Sequence, residues 1–321
     1  MKRPRLEQYL MELILLALCV VFALTAPGFM RTRNLLNVMR NVALQGMIAF
    51  SMTAVIISGE IDLSVGSAVA FAGVIMAWLT QWFTSFGLPL AVGIPIAVIL
   101  TLVASSVVGW TIAYMRNAFS VPTFITSLAY LTMLSGFANL ITGGFPITSF
   151  PRWFNTLGGG SFLSVPVPAL FLIVVFAAFE FIMNHTSFGR SIYAVGGNAE
   201  AARLNGINVK RVKYVLLSLT GCLAGVTGIL VASQIMAGTP TVGRGWELQI
   251  ISAVIIGGAS LAGGAGRIRG TLIGIFFLGV IINGMTLLNI SQYWQLVVRG
   301  ALILIAILIN NLRGLTGATR T

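Results

Sequence analysis

The sequence predicts an all-α membrane protein, a bundle of about ten transmembrane helices, on three observations. Charged residues make up 8% of the 321 residues, against about 25% in soluble domains. Hydrophobic residues make up 57%, more than a water-facing globule could bury. The 19 Lys and Arg residues outnumber 7 Asp and Glu and fall mostly between apolar runs. That distribution is typical of the positive-inside rule and not of a surface that binds nucleic acid.

Apolar runs of membrane length recur along the chain, separated by polar, glycine and proline residues. A transmembrane helix needs about 20 residues to cross ~30 Å of hydrocarbon. The first run is short, but we interpret it as a retained span because no clear signal-peptide cleavage site follows it. The whole chain, residues 1–321, is expected to form one transmembrane domain. We predict ten spans, at residues 10–26, 42–58, 68–83, 88–115, 121–141, 167–183, 214–235, 248–261, 270–288 and 294–310.

The positions of the basic residues predict how these spans are oriented. With a cytoplasmic N-terminus, thirteen basic residues lie inside and five outside, and Arg299 lies within the last span, so both termini are expected in the cytoplasm. The arginines within residues 29–40 fit poorly, and we expect an interfacial amphipathic helix there. The inside set is Lys2, Arg3, Arg5, Arg116, Arg190, Arg203, Lys210, Arg211, Lys213, Arg267, Arg269, Arg313 and Arg320; the outside set is Arg31, Arg33, Arg40, Arg152 and Arg244.

Two connections are long enough to hold structure of their own: residues 142–166, the largest external loop, and residues 184–213, the largest internal one. In the internal loop Asn198 is a good N-cap, and Glu200 lies in the first turn, where the helix dipole favours an acid. Gly206 is placed as the glycine that follows a helix. The loop therefore predicts a short helix at residues 199–205. Short helices need tertiary contacts, so this one either lies against its own bundle or docks into a partner.

The stretch GEIDLSVGS, residues 59–67, places Glu60 two residues before Asp62, the only aspartate in the chain. A charged side chain at the bilayer centre costs about 2.5 to 3.5 kcal/mol. Because the flanking apolar runs are each long enough for a span, we predict a turn at the cytoplasmic end. Gly59 is expected to end one helix, and Asp62 or Ser64 to cap the next. The turn contains no base that would account for its two acids.

Other patterns exclude several function classes. No lysine follows a glycine, so there is no Walker A loop, and ATP-driven transport would need a separate ATPase chain. Cys19 and Cys222 lie inside apolar runs and the single histidine has no metal-ligating neighbours, so neither a disulfide framework, a metal site nor a cofactor is predicted. No nucleophile and base pair indicates an enzyme. Glu12, Glu180 and Arg299 lie nearer span ends than centres, and we interpret them as interfacial charges, not as the coupling groups of an ion-driven carrier.

The run GGASLAGGAG, residues 257–266, repeats small residues at a spacing of four. Such spacing lets helices approach closely in lipid. We therefore predict that the run packs as a helix face within the bundle or across a dimer.

Three blocks of sequence now support a resemblance. SGEIDLSVGS (58–67), FGRSIYAVGGNAEAARLNGINVKRVK (188–213) and GRGWELQIISAVIIGGASLAGGAGRIRGTLIG (243–274) resemble the permease subunits of bacterial ABC importers for ribose, xylose, galactose and related sugars. The family's turn motif falls on Gly59, Glu60, Asp62, Ser64 and Gly66. Many sugar permeases read GGIDLSVGS or SGIDLSVGS there, so Glu60 is a departure.

The resemblance implies a multi-pass protein of the bacterial inner membrane that pairs as a homodimer or with a related permease. A periplasmic binding protein would deliver a sugar or polyol, and a separate cytoplasmic ATPase would drive alternating access. The helix at residues 199–205 would couple to that ATPase through Gly197, Asn198, Glu200, Arg203 and Gly206.

Alternatives stay open at this point. The resemblance also fits a branched-chain amino acid or nucleoside permease of the same superfamily, and a stand-alone secondary carrier is a third possibility.

The binding protein would dock on residues 142–166 and 236–247. Five spans precede and five follow the largest external loop, so structural repeats would be inverted halves.

Overall fold

The computed structural model describes residues 10–318, with side-chain environments for residues 11–305 and 308. The basic residues Lys2, Arg3, Arg5 and Arg320, which the orientation argument counts, lie outside the described residues. The described chain is almost entirely helical. Its helices are α1 Leu10–Thr25, α2 Thr32–Ile57, α3 Val65–Ser85, α4 Leu90–Phe119, α5 Thr123–Thr142, α6 Asn155–Gly158, α7 Val167–His185, α8 Ser187–Gly197, α9 Ala199–Leu204, α10 Val209–Ile235, α11 Trp246–Ile256, α12 Ile268–Leu287 and α13 Gln292–Ala318.

Helices α2, α3 and α10 form the centre of the bundle. In the most apolar stretch of α2, 83% of residues are buried, against 22% in α5 and 28% in α4 and α7. The peripheral helices therefore expose most of their apolar surface, which is expected of helices that face lipid. The prediction of an all-α membrane protein is confirmed.

The structure supports fewer membrane-length helices, among the described residues, than the ten spans that the sequence predicts. Each of the ten predicted runs overlaps a helix, but only seven helices among the described residues are long and apolar enough to span a bilayer: α2, α3, α4, α5, α7, α10 and α12. Helix α11 has 11 residues and is about 16 Å long at ~1.5 Å per residue, about half of a ~30 Å hydrocarbon core. The count of ten crossings therefore stays a prediction.

Two predictions about local structure are wrong. The amphipathic helix expected at residues 29–40 is the first part of α2, which runs without a break from Thr32 to Ile57. The run at 257–266 forms turns between α11 and α12 and not a helix face. Gly258, Gly263 and Gly264 have φ between +73° and +91°, a conformation that a helix does not contain. Small residues at a spacing of four are thus also compatible with a glycine-rich turn.

The long connections contain structure at the two ends of the bundle. The segment 142–166 holds α6 and a hairpin that pairs Ser161 with Pro166 and Phe162 with Val165. It meets the end of α10, where the Asn155 side chain donates to the carbonyl oxygens of Ser233 and Gln234. The segment 184–213 holds α8 and α9 at the other end. We call the end of the bundle that holds α8 and α9 the α9 end, and the end that holds the segment 142–166 the opposite end.

Candidate functional site

The turn after α2 begins with a Schellman motif, the hydrogen-bond pattern in which a glycine ends a helix. The Gly59 N–H donates to the Ile56 carbonyl oxygen at 2.9 Å and the Glu60 N–H to that of Val55 at 3.1 Å. Gly59 has φ +82°, the left-handed conformation that such a terminator adopts. The prediction that Gly59 ends the helix is confirmed. Residues 60–64 then pass from α2 to α3 without helical structure.

Glu60 receives three donors from three other helices. Its carboxylate lies 2.5 Å from the Lys213 ammonium of α10 and 2.9 Å from the Arg116 Nε of α4. The Thr123 hydroxyl, at the start of α5, donates to the second carboxylate oxygen. The Glu60 and Lys213 side chains are only 7% and 9% exposed, so the pair is buried. One acid, two bases and one hydroxyl thus join the end of α2 to α4, α5 and α10, and we call Glu60, Arg116, Thr123 and Lys213 the Glu60 cluster.

The charge of Glu60 follows from these contacts. Burial alone would raise the pKa of Glu60, but hydrogen bonds from Lys213, Thr123 and Arg116, together with the charge of Lys213, outweigh burial and lower the pKa below its ordinary value. Glu60 is therefore ionised at neutral pH. The bases that the turn lacks in sequence come from distant parts of the chain.

Asp62 stabilises the turn locally. Its Oδ1 accepts from the Ser64 N–H at 2.8 Å and from the Ser64 hydroxyl at 2.6 Å, while the Leu63 N–H donates to the Ser127 hydroxyl of α5 at 2.9 Å. Asp62 is 2% exposed, and burial raises its pKa, which the bonds from Ser64 only partly oppose. Of the two residues expected to cap α3, Asp62 or Ser64, the Ser64 side chain makes no capping bond and donates to Asp62 instead. Asp62 accepts from the backbone N–H of Ser64, the residue just before that helix.

Gly66, in the first turn of α3, permits a close contact with the segment before α11. A Cβ atom on Gly66 would collide with the Gly243 carbonyl oxygen and the Glu247 carboxylate. Any larger residue would therefore separate α3 from this segment. All five residues of the turn motif, at positions 59, 60, 62, 64 and 66, thus have a structural role at this junction.

Helix α9 forms as the sequence predicts. The Asn198 Oδ1 accepts from the Ala201 N–H at 2.9 Å and caps the helix, and Gly206 has φ +83° just beyond its end. Arg203 donates to both oxygens of Glu200, at 2.6 and 3.2 Å, which lowers the pKa of that carboxyl. Both side chains are about two-thirds exposed, and Leu204 is 75% exposed. The helix therefore presents a charged pair and an apolar residue to its surroundings.

Helix α8 joins α9 to the centre of the bundle through backbone contacts. The Gly196 Cα lies so close to the Ile57 carbonyl oxygen, at the end of α2, that a Cβ atom would collide with it. The same oxygen accepts from the Gly264 N–H at 2.8 Å, and the Tyr193 hydroxyl donates to the Gly266 carbonyl oxygen at 3.0 Å. Residues 257–266 thus pack between α8 and α2. By contrast, a Cβ on Gly197 would meet nothing within 4 Å.

The structure brings the two predicted groups of residues to one end of the bundle. The Glu60 cluster includes Lys213, in the first turns of the helix that follows α9, and Gly196 lies at the end of the helix that precedes α9. The segments that precede and follow α9 in sequence thus contact the end of α2 and the turn after it, respectively.

Comparison with known proteins identifies the family of the chain. Residues 34–307 match the sequence model of a family described as the branched-chain amino acid transport system, permease component. The chain belongs to this family. The permease is therefore a multi-pass protein of the inner membrane and a subunit of an ABC importer, a transport component and not an enzyme. Importers of this kind combine the permease with an ATPase and a substrate-binding protein.

Three relatives match nearly the whole permease. The probable ABC transporter permease protein YphD of Escherichia coli K12 is 44% identical over 92% of this chain and 87% of its own. The ribose import permease protein RbsC of Bacillus subtilis is 39% identical over 92% and 90%. The protein of that name from E. coli K12 is 38% identical over 95% of both chains. No solved structure is a significant match.

Sequence reasoning missed the partners of Glu60 and the role of Gly196. Arg116, Thr123 and Lys213 are distant in sequence, and each is at the end or beginning of a span. One signal was available: an acid predicted at the end of the membrane where bases predominate should have a basic partner from a neighbouring helix end. Gly196 adjoins Gly197, and nothing in the sequence indicates which of them lies against another helix.

Proposed function

We propose that the permease forms the translocation path for a neutral sugar or polyol, delivered by a periplasmic binding protein and driven by a cytoplasmic ATPase. The observation that carries this proposal is the similarity to ribose import permeases over more than nine-tenths of the chain. The family description mentions amino acids, but an L-arabinose permease of Azospirillum brasilense is also 36% identical over 94% of the chain. These sugar permeases favour a sugar as the solute.

The α9 end is the cytoplasmic side in this proposal, and α9 is the element that contacts the ATPase. The exposed Glu200–Arg203 pair and Leu204 give α9 a surface suited to a partner. The predicted excess of basic residues inside supports the same orientation, and both termini are then cytoplasmic. Gly197, Asn198 and Gly206 fix the ends of α8 and α9 and thereby position this surface.

The whole chain acts as one permease domain in this proposal, paired with a second membrane subunit that is identical or related. The binding protein docks on residues 142–166, at the opposite end, and on residues 236–247, which begin beside that segment, where Gly238 pairs with Ile147. Two inverted five-helix halves are the arrangement we expect within each subunit.

Reconstitution of the importer tests this function. The permease, its ATPase and its binding protein are placed in liposomes, and uptake of radiolabelled D-ribose, D-xylose and L-arabinose is measured with ATP and with a non-hydrolysable analogue. We expect uptake of at least one sugar with ATP only. Leucine and uridine serve as competing solutes for the related permease classes.

Three results would contradict the proposal. Uptake of leucine or uridine without any sugar would replace the solute class. Sugar uptake by the permease alone, in liposomes without ATPase, would indicate a secondary carrier. Binding of the ATPase to the opposite end of the bundle, detected by cross-linking, would reverse the orientation.

A further inference from the structure

A cavity of about 350 Å³ with a mixed polar and apolar lining lies between α2, α11, α12 and α13. Small-molecule sites commonly have volumes of ~300–1,000 Å³, so this one is large enough for a monosaccharide-sized solute. Trp246 and several aliphatic side chains form its apolar wall. Its polar lining residues are Asn41, Gln45, Gln249, Asn283, Thr286 and Arg299.

The cavity extends from the opposite end towards the middle of the bundle. Gln45 is separated from Ile57, at the α9 end, by about 18 Å of helix at ~1.5 Å per residue. Asn283 and Thr286 lie in the last turns of α12, and Gln249 lies in the first turn of the half-length α11. If the α9 end is cytoplasmic, a solute released by the binding protein would reach this cavity first.

Several of the polar groups lack protein partners. The Nε atom of Arg299 is buried and has no hydrogen-bond partner within the part of the chain that the structure describes. The amides of Asn41, Gln45 and Gln249 likewise form no hydrogen bonds with the described residues, although Gln249 is only 6% exposed. An unpaired donor away from water costs free energy, which applies to the Nε of Arg299, whereas Asn41 is exposed and Gln45 is half-buried. These groups are therefore available to a polar ligand.

Other lining groups are fixed in place by the bundle. The side chains of Asn283 and Asn34 bind each other reciprocally, at 2.8 and 2.9 Å. The Thr286 hydroxyl donates to the Ile282 carbonyl oxygen at 2.8 Å. The cavity thus combines an ordered wall with three amides that form no hydrogen bonds to the described residues and are free to contact a ligand.

We infer that this cavity binds the transported solute, and that Asn41, Gln45, Gln249 and Arg299 contact its hydroxyl groups. This inference rests on the proposed function and assigns the sugar a place within it. Amides supply both donors and acceptors, as a ring of hydroxyls requires, and the guanidinium supplies further donors. Trp246 offers a flat apolar surface for the C–H face of a sugar ring. No lining residue is an acid, so a cationic solute has no partner here.

Leucine substitutions at Gln249 and Asn41 test the assignment in the reconstituted importer. Gln249→Leu removes the amide but keeps most of the side-chain volume. We expect it, and Asn41→Leu, to raise the KM for the sugar that the wild type imports roughly tenfold, the loss of a ligand hydrogen bond. Gln81→Leu is the matched control, because Gln81 lies on the exposed surface of α3 outside the cavity. Co-purification of the ATPase should be unchanged in all three variants.

Protection from labelling gives a readout that does not depend on transport. In a Cys19→Ser, Cys222→Ser background, the Gln249→Cys variant is treated with a small, neutral, water-soluble thiol reagent. We expect labelling that D-ribose, D-xylose or L-arabinose slows at least fivefold, for whichever of these sugars the wild type imports. The Gln81→Cys variant should be labelled at the same rate with and without sugar.

The outcomes separate this inference from the proposed function. If the wild type imports a sugar, but Gln249→Leu and Asn41→Leu keep the wild-type KM and the sugar does not slow labelling, the cavity assignment is overturned and the function stands. If the wild type imports none of the three sugars, the proposed function fails and the assignment fails with it.

Discussion

Glu60 is the residue on which the end of the bundle near α9 depends most. It is ionised and buried, and the charged side chain of Lys213 is buried with it. Removing one partner of a buried ion pair leaves the other charge without compensation, which costs about 3 to 5 kcal/mol. We expect Glu60→Gln to lower the free energy of unfolding by that amount. The measurement is denaturant unfolding of the purified permease in detergent, in which the midpoint should shift to a lower denaturant concentration.

The control for this prediction is Glu200→Gln, which breaks an exposed pair and should leave the midpoint unchanged. Adding Lys213→Met to Glu60→Gln should restore part of the lost stability, because the buried ammonium is removed. A Glu60→Gln variant as stable as the wild type would show that the cluster does not hold the helices together.

Two substitutions at Asp62 distinguish the effect of its charge from the effect of its hydrogen bonds. Its Oδ1 accepts both bonds from Ser64, and asparagine retains that oxygen. Asp62→Asn should therefore keep normal expression and stability, whereas Asp62→Ala leaves two donors unpaired and should lower stability by about 1 to 3 kcal/mol. We further expect Asp62→Asn to abolish transport in the reconstituted importer. Transport at the wild-type rate would restrict Asp62 to shaping the turn.

At the scale of elements, the neighbouring glycines 196 and 197 provide a matched pair. Gly196→Ala would place a methyl group against the Ile57 carbonyl oxygen and must separate α8 from α2, whereas the same methyl at Gly197 enters open space. We expect Gly196→Ala to reduce ATP-dependent uptake at least tenfold and Gly197→Ala to leave it within twofold. Equal uptake by the two variants would exclude a role for this contact in coupling.

Helix α9 is expected to act through its surface. Glu200 and Arg203 are exposed, so replacing both with alanine should preserve membrane insertion and the unfolding midpoint. The double variant should nevertheless co-purify less ATPase than the wild type, because the charged part of the contact surface is gone. Unchanged co-purification would argue against ATPase docking at these residues.

How well each element could be predicted depended on how local its signals are. Helix α9 is specified by neighbours in sequence, an N-cap at Asn198 and a glycine at 206, and its position was correctly predicted. The spacing of small residues at 257–266 fits a helix face as well as a turn, and only the positive φ angles of its glycines identify the run as a turn. The Glu60 cluster depends on the packing of α4, α5 and α10 against α2, which no local pattern specifies.

For the whole molecule, the Glu60 cluster predicts a dependence of stability on pH. The pKa of Glu60 is lower in the folded state than its ordinary value of 4.5. Its contribution to stability is therefore present above pH 4.5 and is lost as the pH falls through the folded-state pKa. The pKa of Asp62 is raised in the folded state, so protonation of Asp62 favours the folded state as the pH falls. Asp62 therefore does not contribute to the loss of stability in acid.

The comparison of the wild type with Glu60→Gln isolates this effect from the other acids. We expect the difference between their unfolding temperatures to be constant from pH 7 to about 5 and to shrink as the pH is lowered below 4.5. A difference that stays constant down to pH 3 would contradict the lowered pKa of Glu60.

The contact between Gly196 and Ile57 has a mechanical consequence. Side chains can rotate between rotamers and absorb a displacement of about an ångström, whereas two backbones in direct contact cannot. A push on α8 from outside the bundle should therefore displace the end of α2 by nearly the same distance, with little compliance at the junction. Because α2 has the most buried apolar stretch of the seven membrane-length helices among the described residues and lines the cavity, its rigid tilt would change the width of that cavity some 18 Å away.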